Sequence, residues 1–328
     1  MKTINNIPED IYYYVNTVLY DLEKEFNIKI LYAVESGSRC WGFSNKESDY
    51  DIRFIYARPI EEYINISSPR DVIDRKDLGE RSYDYPLDLS GWDISKALFL
   101  HYKNNPNLNE YIRSNMVYRG DTSIFEGLVE FNPVSLKHHY SSMTRKHWKK
   151  YVKGDEMTPR VTKRYCYSIR QILCWILIDD TGKANNIINI DDLFEHFKND
   201  ERFPQQLMID LHSIIDYYRS NCTLRLSEEA IENVSNWITR YIRIMKEDKS
   251  EYHQKTYYKV YNYMLRLILK QSAVPDLFDE GPWLRCYECK HHKGMRLDEY
   301  ETDTWCELEY PHGTDAKVFC GGYDKDND

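Results

Sequence analysis

The first 130 residues alternate between helical and strand-like patterns of apolar positions. Residues 8–26 carry apolar side chains at helical spacing, and a proline in the first turn is typical of a helix start. Three segments have strand patterns: the apolar run 28–35, the alternating run 49–57 and the run 83–89. Pro86 lies inside the third run, which predicts an edge strand or a bulge there.

A helix is predicted after the third strand, and helical patterns then dominate the chain. Asp93 is a suitable N-cap for a helix over 93–102. Further along, apolar residues recur at spacings of three and four over 165–178, 233–245 and 257–269. The whole pattern predicts the α+β class, with a sheet-containing part followed by a helical part.

The same pattern divides the chain into three predicted domains. Residues 1–130 form an α+β domain, 131–275 form a helical domain, and 276–328 form an acidic tail rich in cysteine. A charged stretch over 246–254 is predicted to be a loop within the helical part.

Length and composition exclude several classes of protein. The 328 residues are 42% hydrophobic, which supports buried cores and excludes wholesale disorder. No apolar run approaches the roughly 20 residues of a membrane helix, and the N-terminus lacks an apolar signal region. We therefore expect a cytoplasmic protein that does not contact a membrane. The net charge of −9 argues against indiscriminate coating of nucleic acid, although a local basic groove remains compatible with it.

Four of the eight cysteines lie together in the tail. They are spaced C-x2-C-x16-C-x13-C, and they are Cys286, Cys289, Cys306 and Cys320. Four thiolates from a tight turn and a following hairpin suit tetrahedral Zn²⁺, so we predict a structural zinc site. Reduced, unliganded cysteines and an iron–sulfur cluster are the alternatives. A neighbouring histidine could also replace one ligand.

The candidate chemistry lies in the predicted α+β domain. Gly37-Ser38 follows a buried strand and opens a short helix, which offers backbone N–H groups and a hydroxyl to an anion. Asp49 and Asp51 are two residues apart on a predicted strand and would share a face, and Asp88 lies at the end of the third predicted strand. Carboxylates at such short distances repel unless a hard cation neutralises them. Together with substrate phosphates they could hold two Mg²⁺ ions for phosphoryl transfer.

Each of these features also has a purely structural interpretation. Gly37-Ser38 lacks the ending of a Walker motif and can be a plain strand-to-helix turn. The acidic pair can be a solvated strand edge. Asp93 is a rival for the third carboxylate, although a capping role also explains it. The agreement of order, spacing and strand placement favours a site.

A basic stretch over 137–170 interrupts the acidic chain. It holds ten Lys and Arg residues against two acidic residues. Lys163, Tyr167 and Arg170 follow one another at helical spacings of four and three, so they share a helix face. Such a face can bind phosphates and stack a base, and the wider stretch could bind an RNA strand. The alternative is a solvated basic face with its tyrosine in the core.

These motifs resemble the DNA polymerase β-like nucleotidyltransferase superfamily, in which a hydrophobic strand is followed by Gly-Ser, Asp-x-Asp and a third Asp. The run DLSGWDISKAL over 88–98, Asn105-Pro106 with Glu110, and KRYCYSIR over 163–170 are similar to nucleotidyltransferases of the YcgL/RlaP type. Ser95 replaces an arginine of that pattern. The likeness spans about residues 28–180.

The resemblance implies a polymerase β-like core, a mixed sheet with helices, that transfers an NMP from an NTP to an acceptor hydroxyl and releases pyrophosphate. Gly37 and Ser38 would bind the triphosphate, Asp49 and Asp51 would hold two Mg²⁺ ions, and Asp88 would complete the metal site beside the acceptor. Lys163, Tyr167 and Arg170 would contact the nucleotide.

The acceptor and the activity itself stay open at this point. Proteins of the RlaP type are thought of as companions of RNA ligases, so an RNA 3′ end is one acceptor, and a small molecule or a protein hydroxyl is another. A catalytically inactive module that binds nucleotide or RNA is the alternative function. A third function is that of a toxin–antitoxin-type transferase that modifies a partner.

Overall fold

The computed structural model describes residues 3–67, 69–74, 85–128, 130–149, 156–251, 258–272, 292–297 and 302–306. Its contacts group the chain into two units, Met1–Tyr252 and His253–Asp328. The first unit contains the elements that position the candidate site.

A five-stranded mixed sheet lies at the centre of the first unit. A short antiparallel ladder of β1 (Thr3–Ile4) and β2 (Ile7–Pro8) precedes it. The sheet strands are β3 (Lys29–Ser36), β4 (Tyr50–Ala57), β5 (Val72–Ile73), β6 (Leu87–Asp93) and β7 (Val117–Gly120), in the order β5-β6-β4-β3-β7. β3 pairs antiparallel with β4 and β7, whereas β4 and β6 run parallel.

Helix α1 (Glu9–Phe26) packs against one face of the sheet and confirms the predicted first helix. Its buried residues recur every three or four positions, as the helical period requires: Ile11, Val15, Leu19 and Leu22. They share one hydrophobic core with alternate residues of the strands, including Ile52, Phe54 and Leu89. This alternation leaves the intervening strand residues on the opposite face of the sheet.

Four short helices lie in the connections between the described strands. They are α2 (Gly37–Cys40), α3 (Ile60–Tyr63), α4 (Ile94–Tyr102) and α5 (Pro106–Ile112), and a 3₁₀ turn spans Thr122–Phe125. α4 contacts β4 and β6, and α5 contacts β3. Asp93 caps α4, because its Oδ1 accepts a hydrogen bond from the Ser95 N–H at 2.8 Å. The predicted capping role of Asp93 is therefore confirmed.

Helices alone make up the rest of the described part of the first unit: α6 (Pro133–Lys149), α7 (Pro159–Thr181), α8 (Ile190–Phe197), α9 (Gln205–Arg219) and α10 (Glu228–Glu247). α7 contacts each of the other four. Its segment 168–178 is buried on all sides, which explains its nearly continuous apolar sequence.

The second unit contains α11 (Tyr258–Ser272) and an antiparallel hairpin of β8 (His292–Leu297) and β9 (Thr302–Cys306). Cys286, Cys289 and Cys320 lie outside the described residues, and so does the side chain of Cys306. The zinc prediction for the tail therefore falls outside the described part of the chain. In the ranges given above, no helix is both long enough and apolar enough to cross a bilayer.

The structure corrects the third predicted strand. β6 begins at Leu87, directly after Pro86, so the proline does not interrupt the ladder. Its carbonyl accepts a hydrogen bond from the Tyr50 N–H at 2.8 Å. The expected edge position is wrong, because the two-residue strand β5 pairs with β6 on its outer side and places β6 inside the sheet.

Candidate active site

Strand pairing places Asp51 beside Asp88. Asp51 on β4 is the direct partner of Asp88 on the parallel strand β6. Neighbouring strands lie about 4.8 Å apart, and paired residues project their side chains to the same face. The alternating burial of β4 directs Ile52 and Phe54 into the core with α1, so Asp51 lies on the other face. Two of the three predicted carboxylates are thus brought together.

Arg53 lies between these two carboxylates. It shares the face of Asp51, two residues further along β4. Its Nη2 donates to Asp51 Oδ1 at 3.0 Å and to Asp88 Oδ2 at 2.8 Å. Sequence reasoning missed Arg53, although its two-residue spacing from Asp51 in a strand was a usable signal. The contacts show that both carboxylates reach one cationic nitrogen.

The environment of Asp51 raises the pKa of its carboxyl group. Burial raises the pKa of the Asp51 carboxyl, and the neighbouring Asp88 carboxylate raises it further. The charges of Arg53 and Lys163 oppose that rise. A carboxyl held above its ordinary pKa by burial and a like charge is typical of functional sites, where an added cation restores the ionised form.

Asp49 is placed differently from the sequence expectation. It precedes β4, is exposed, and is fixed through its backbone: Arg39 Nε donates to the Asp49 carbonyl at 3.1 Å. Within the described ranges, no group of three or more His, Cys, Asp or Glu side chains is placed to hold a metal ion. The expected cluster of three carboxylates is therefore not assembled there, because Asp49 lies outside the strand alternation that aligns Asp51 with Asp88. A ligand role for Asp49 stays a prediction.

The Gly37-Ser38 turn lies directly against Asp51. Ser36, at the end of β3, pairs with Asp51, and α2 begins at the next residue, as predicted. Gly37 has a φ of +61°, and a Cβ atom there would lie 1.9 Å from Asp51 Oδ2. Only glycine allows both the left-handed backbone and this close approach. Ser38 is buried, and its carbonyl accepts a hydrogen bond from the Phe43 N–H at 3.0 Å.

Glu35 supports Asp51 from the opposite side of the sheet. Its Oε1 accepts the Asp51 backbone N–H at 2.8 Å, and its Oε2 accepts the Tyr118 hydroxyl at 2.6 Å. Burial raises the pKa of this fully buried carboxyl to about 7, and the hydrogen bond from Tyr118 opposes that rise. Glu35 thus fixes the start of β4, where Asp51 lies.

Two of the three predicted nucleotide contacts on α7 lie close enough to Asp51 to sense its charge. Lys163 lowers the pKa of Asp51, although burial is the larger influence on that group. Burial raises the pKa of Tyr167, and the Asp51 charge adds to that rise. The Tyr167 ring packs on Trp41 and Phe43 from the turn after α2. Lys163 forms no ion pair with any described residue, which leaves its charge available near the carboxylates.

Arg170, the third predicted nucleotide contact, lies inside the protein. Its side chain is 1% exposed, its Nη2 donates to Glu110 Oε1 at 2.9 Å, and its guanidinium lies 4.1 Å from the centre of the Trp41 ring. Tyr140 donates to the same Glu110 oxygen at 2.9 Å. Arg170 therefore joins α7 to α5 inside the protein, and a nucleotide contact for it stays a prediction.

The basic stretch is likewise only partly available at the surface. Lys137 is buried, and its Nζ lies 2.6 Å from Asp179 and 2.9 Å from Asp248. Exposed cations of the described part of the stretch are Lys146, Lys149 and Arg160. The local positive surface is thus smaller than the sequence count indicates.

The donor set of the site fits Mg²⁺. Asp51 and Asp88 offer hard carboxylate oxygens, and one oxygen of each already contacts the cationic Nη2 group of Arg53. Mg²⁺ is usually bound through one or two carboxylates together with substrate phosphates rather than by a complete protein cage. The two carboxylates, with the charge of Lys163 acting on Asp51, are therefore a protein contribution that fits a metal–triphosphate site.

Comparison with known proteins gives the family. The model of the family RlaP, described as "RNA repair pathway DNA polymerase beta family", matches residues 13–209. The chain belongs to this RlaP family. "Uncharacterized protein YcgL" of Bacillus subtilis (strain 168) is 36% identical over 217 residues, which is 60% of this chain and 80% of that protein. No solved structure matches the chain. The RlaP match spans the whole sheet and α7, and it confirms the resemblance inferred from the motifs.

Proposed function

We propose that the chain is a Mg²⁺-dependent nucleotidyltransferase that transfers an NMP from an NTP to an acceptor hydroxyl and releases pyrophosphate. The convergence of Asp51 and Asp88 on one cationic nitrogen carries this proposal. Membership of a polymerase β-type family supports it. We propose Asp49, the exposed residue before β4, as a further metal ligand that would join Asp51 and Asp88 only when the ion and the triphosphate bind.

Each residue of the site contributes to positioning or charge. Asp51 and Asp88 would hold Mg²⁺, which supplies charge neutralisation for the triphosphate when bound. Lys163 adds a positive charge for the phosphates, and the Gly37-Ser38 turn lets them approach Asp51. The acceptor oxygen attacks the α-phosphorus, the bond to the bridging α–β oxygen breaks, and pyrophosphate leaves while the acceptor proton passes to solvent.

An RNA 3′ end is the acceptor that we propose first. The family description names an RNA repair pathway, and exposed cations lie on the surface of α6 and at the start of α7: Lys146, Lys149 and Arg160. Phosphate contacts require only accumulated positive charge, so these residues could hold an RNA strand without reading its sequence. Small-molecule and protein hydroxyls are the competing acceptors.

We also keep the three-domain division as a proposal. All five strands of the central sheet lie before residue 121, and helices follow from residue 133, which supports a boundary near 130. For the tail, we propose a structural Zn²⁺ bound by Cys286, Cys289, Cys306 and Cys320. Metal analysis of protein purified without chelators tests it: less than half an equivalent of zinc would contradict the proposal.

The activity is tested by labelling. The purified chain is incubated with each α-labelled NTP and Mg²⁺, together with bulk cellular RNA or with protein. We expect label in RNA, and we expect periodate oxidation of the RNA 3′ ends to abolish it. Asp51→Asn should abolish transfer because it removes a metal-binding carboxylate, whereas Glu47→Gln, which neutralises an exposed carboxylate nearby, should not.

Three results would contradict or replace parts of the proposal. Full transfer by Asp51→Asn would contradict it. Label in protein or in a small molecule alone would replace the RNA acceptor. Metal-dependent NTP binding without transfer to any acceptor would support the alternative of an inactive nucleotide-binding module.

A further inference from the structure

The cation that lies between Asp51 and Asp88 belongs to the protein itself. Arg53 Nη2 donates to one oxygen of each carboxylate, at 3.0 Å and 2.8 Å. The side chains of Arg53 and Asp51 are 19% and 26% exposed, whereas that of Asp88 is 43% exposed, so water competes for the Asp88 contact more than for the Asp51 contact. Two like charges on adjacent strands are therefore already neutralised in part before any ligand binds.

The second terminal nitrogen of Arg53 is held by the backbone. Nη1 donates to the Asp88 carbonyl at 2.8 Å and to the Ile52 carbonyl at 3.1 Å. These two hydrogen bonds are made to backbone carbonyls of β4 and β6 and do not involve the side-chain carboxylates. The guanidinium therefore has an anchored end and an end that contacts Asp51 and Asp88, so the second end can leave the carboxylates while the first stays bound.

A divalent cation and Arg53 would need the same oxygens. An ion shared by Asp51 and Asp88 must bind Asp51 Oδ1, Asp88 Oδ2 or their partner oxygens, and it would then lie beside the positive Nη2 group. Repulsion between the two cations at such a distance is strong in a partly buried site. The ion can bind well only after Nη2 withdraws.

We propose that Arg53 is a positioning residue that holds Asp51 and Asp88 together before metal binds and competes with the divalent cation for their oxygens. Arg53 thereby sets the cation concentration at which the site fills. This inference rests on the proposed function, because it takes Asp51 and Asp88 as the metal-binding pair.

The test measures binding of Mn²⁺ alone to the full chain by the loss of its free electron paramagnetic resonance signal. Loss of one charge-assisted competitor should tighten Mn²⁺ binding by Arg53→Gln about tenfold. Arg53→Lys keeps the positive charge but lacks the planar guanidinium that donates to both carboxylates, so its Mn²⁺ affinity should lie between those of Arg53→Gln and the wild type. Arg58→Gln is the matched control: Arg58 is a similarly buried arginine that follows the other end of β4 and pairs with Glu62.

A readout on the unmutated protein covers the case in which Arg53→Gln does not fold. In protein labelled with ¹⁵N at the arginine side chains, the Arg53 guanidinium protons should exchange slowly without metal and faster at saturating Mg²⁺. Arg58 should not change.

The results separate this inference from the proposed function. Wild-type binding of Mn²⁺ combined with equal or weaker binding by folded Arg53→Gln would overturn the role of Arg53 and leave the metal site intact. Unchanged exchange of the Arg53 protons at saturating Mg²⁺ would overturn it as well. Absence of Mn²⁺ binding by the wild type and by every variant, both alone and with a non-hydrolysable NTP, would contradict the inference and the proposed function together.

Discussion

Replacing Gly37 by alanine should disable the site through a contact that can be measured in the structure. A Cβ atom at this position would lie 1.9 Å from Asp51 Oδ2 and 2.8 Å from its Cγ. Ordinary contact begins near 3.4 Å, so the carboxylate must retreat by roughly 1.5 Å. Any such movement separates Asp51 from Arg53 and Asp88, and a misplacement of about 1 Å can cost about 100-fold in rate.

The same substitution also strains the backbone, and a second glycine isolates that effect. Gly182, the C-cap of α7, has a φ of +62°, almost identical to the +61° of Gly37, and among described atoms nothing lies within 4 Å of its added Cβ. Gly37→Ala and Gly182→Ala should therefore both lower the free energy of unfolding by about 1–2 kcal/mol, the cost of a left-handed alanine. Gly37→Ala alone should lose Mn²⁺ binding and transfer.

Urea denaturation gives the stabilities, and electron paramagnetic resonance of Mn²⁺ gives the binding. Two results would refute the reasoning. One is wild-type Mn²⁺ affinity in folded Gly37→Ala. The other is an equal loss of affinity in Gly182→Ala, which would show that backbone strain, and not contact with Asp51, is responsible.

Three further predictions test the surroundings of the site. Burial raises the pKa of Glu35 from its ordinary 4.5 to about 7, so the folded protein binds a proton at Glu35 more tightly than the unfolded chain does. The free energy of unfolding should therefore fall by about 3 kcal/mol, relative to that of Glu35→Gln, as the pH rises through this range. A constant difference between the two proteins from pH 4 to pH 8 would contradict this prediction. Arg170→Met should lower the free energy of unfolding, measured by urea denaturation, by about 3–5 kcal/mol, because it leaves the buried Glu110 carboxylate without its cationic partner. Arg113→Met breaks a more exposed ion pair and should lower it by less than about 1 kcal/mol. Equal losses would refute the distinction between the two pairs. Lys163→Ala should weaken calorimetric binding of an Mg²⁺–NTP complex about tenfold without weakening that of Mn²⁺ alone, and unchanged NTP affinity would remove Lys163 from the site.

Local patterns predicted the elements whose environment is uniform along the chain. The helical period of α1 and the alternation of β4 both reflect a single buried face, so the sequence is sufficient to find them. The third strand spans Leu87–Asp93 and extends beyond the predicted run 83–89 for a different reason. Gly91 lies inside β6 because the Phe54 ring leaves no room for a Cβ, which would meet it at 2.1 Å, whereas glycine in a sequence usually weakens a strand prediction.

Site residues were predictable where one strand or turn determines their position. Asp51 and the Gly37-Ser38 turn belong to this group. Arg170 does not, because helical spacing gives its face but not its neighbour, and that neighbour is Glu110, which lies 60 residues earlier in the chain. Long-range partners of this kind depend on tertiary packing and leave no local signal.

The most direct test of the central claim is a comparison of Mn²⁺ affinity, in the presence of a non-hydrolysable NTP, between wild type, Asp51→Asn, Asp88→Asn and the double variant. If both carboxylates hold the same ion, each single variant should lose most of the affinity and the double variant should lose little more, because either substitution breaks the shared site. Wild-type affinity in folded Asp88→Asn, or additive losses in the double variant, would contradict a shared metal site.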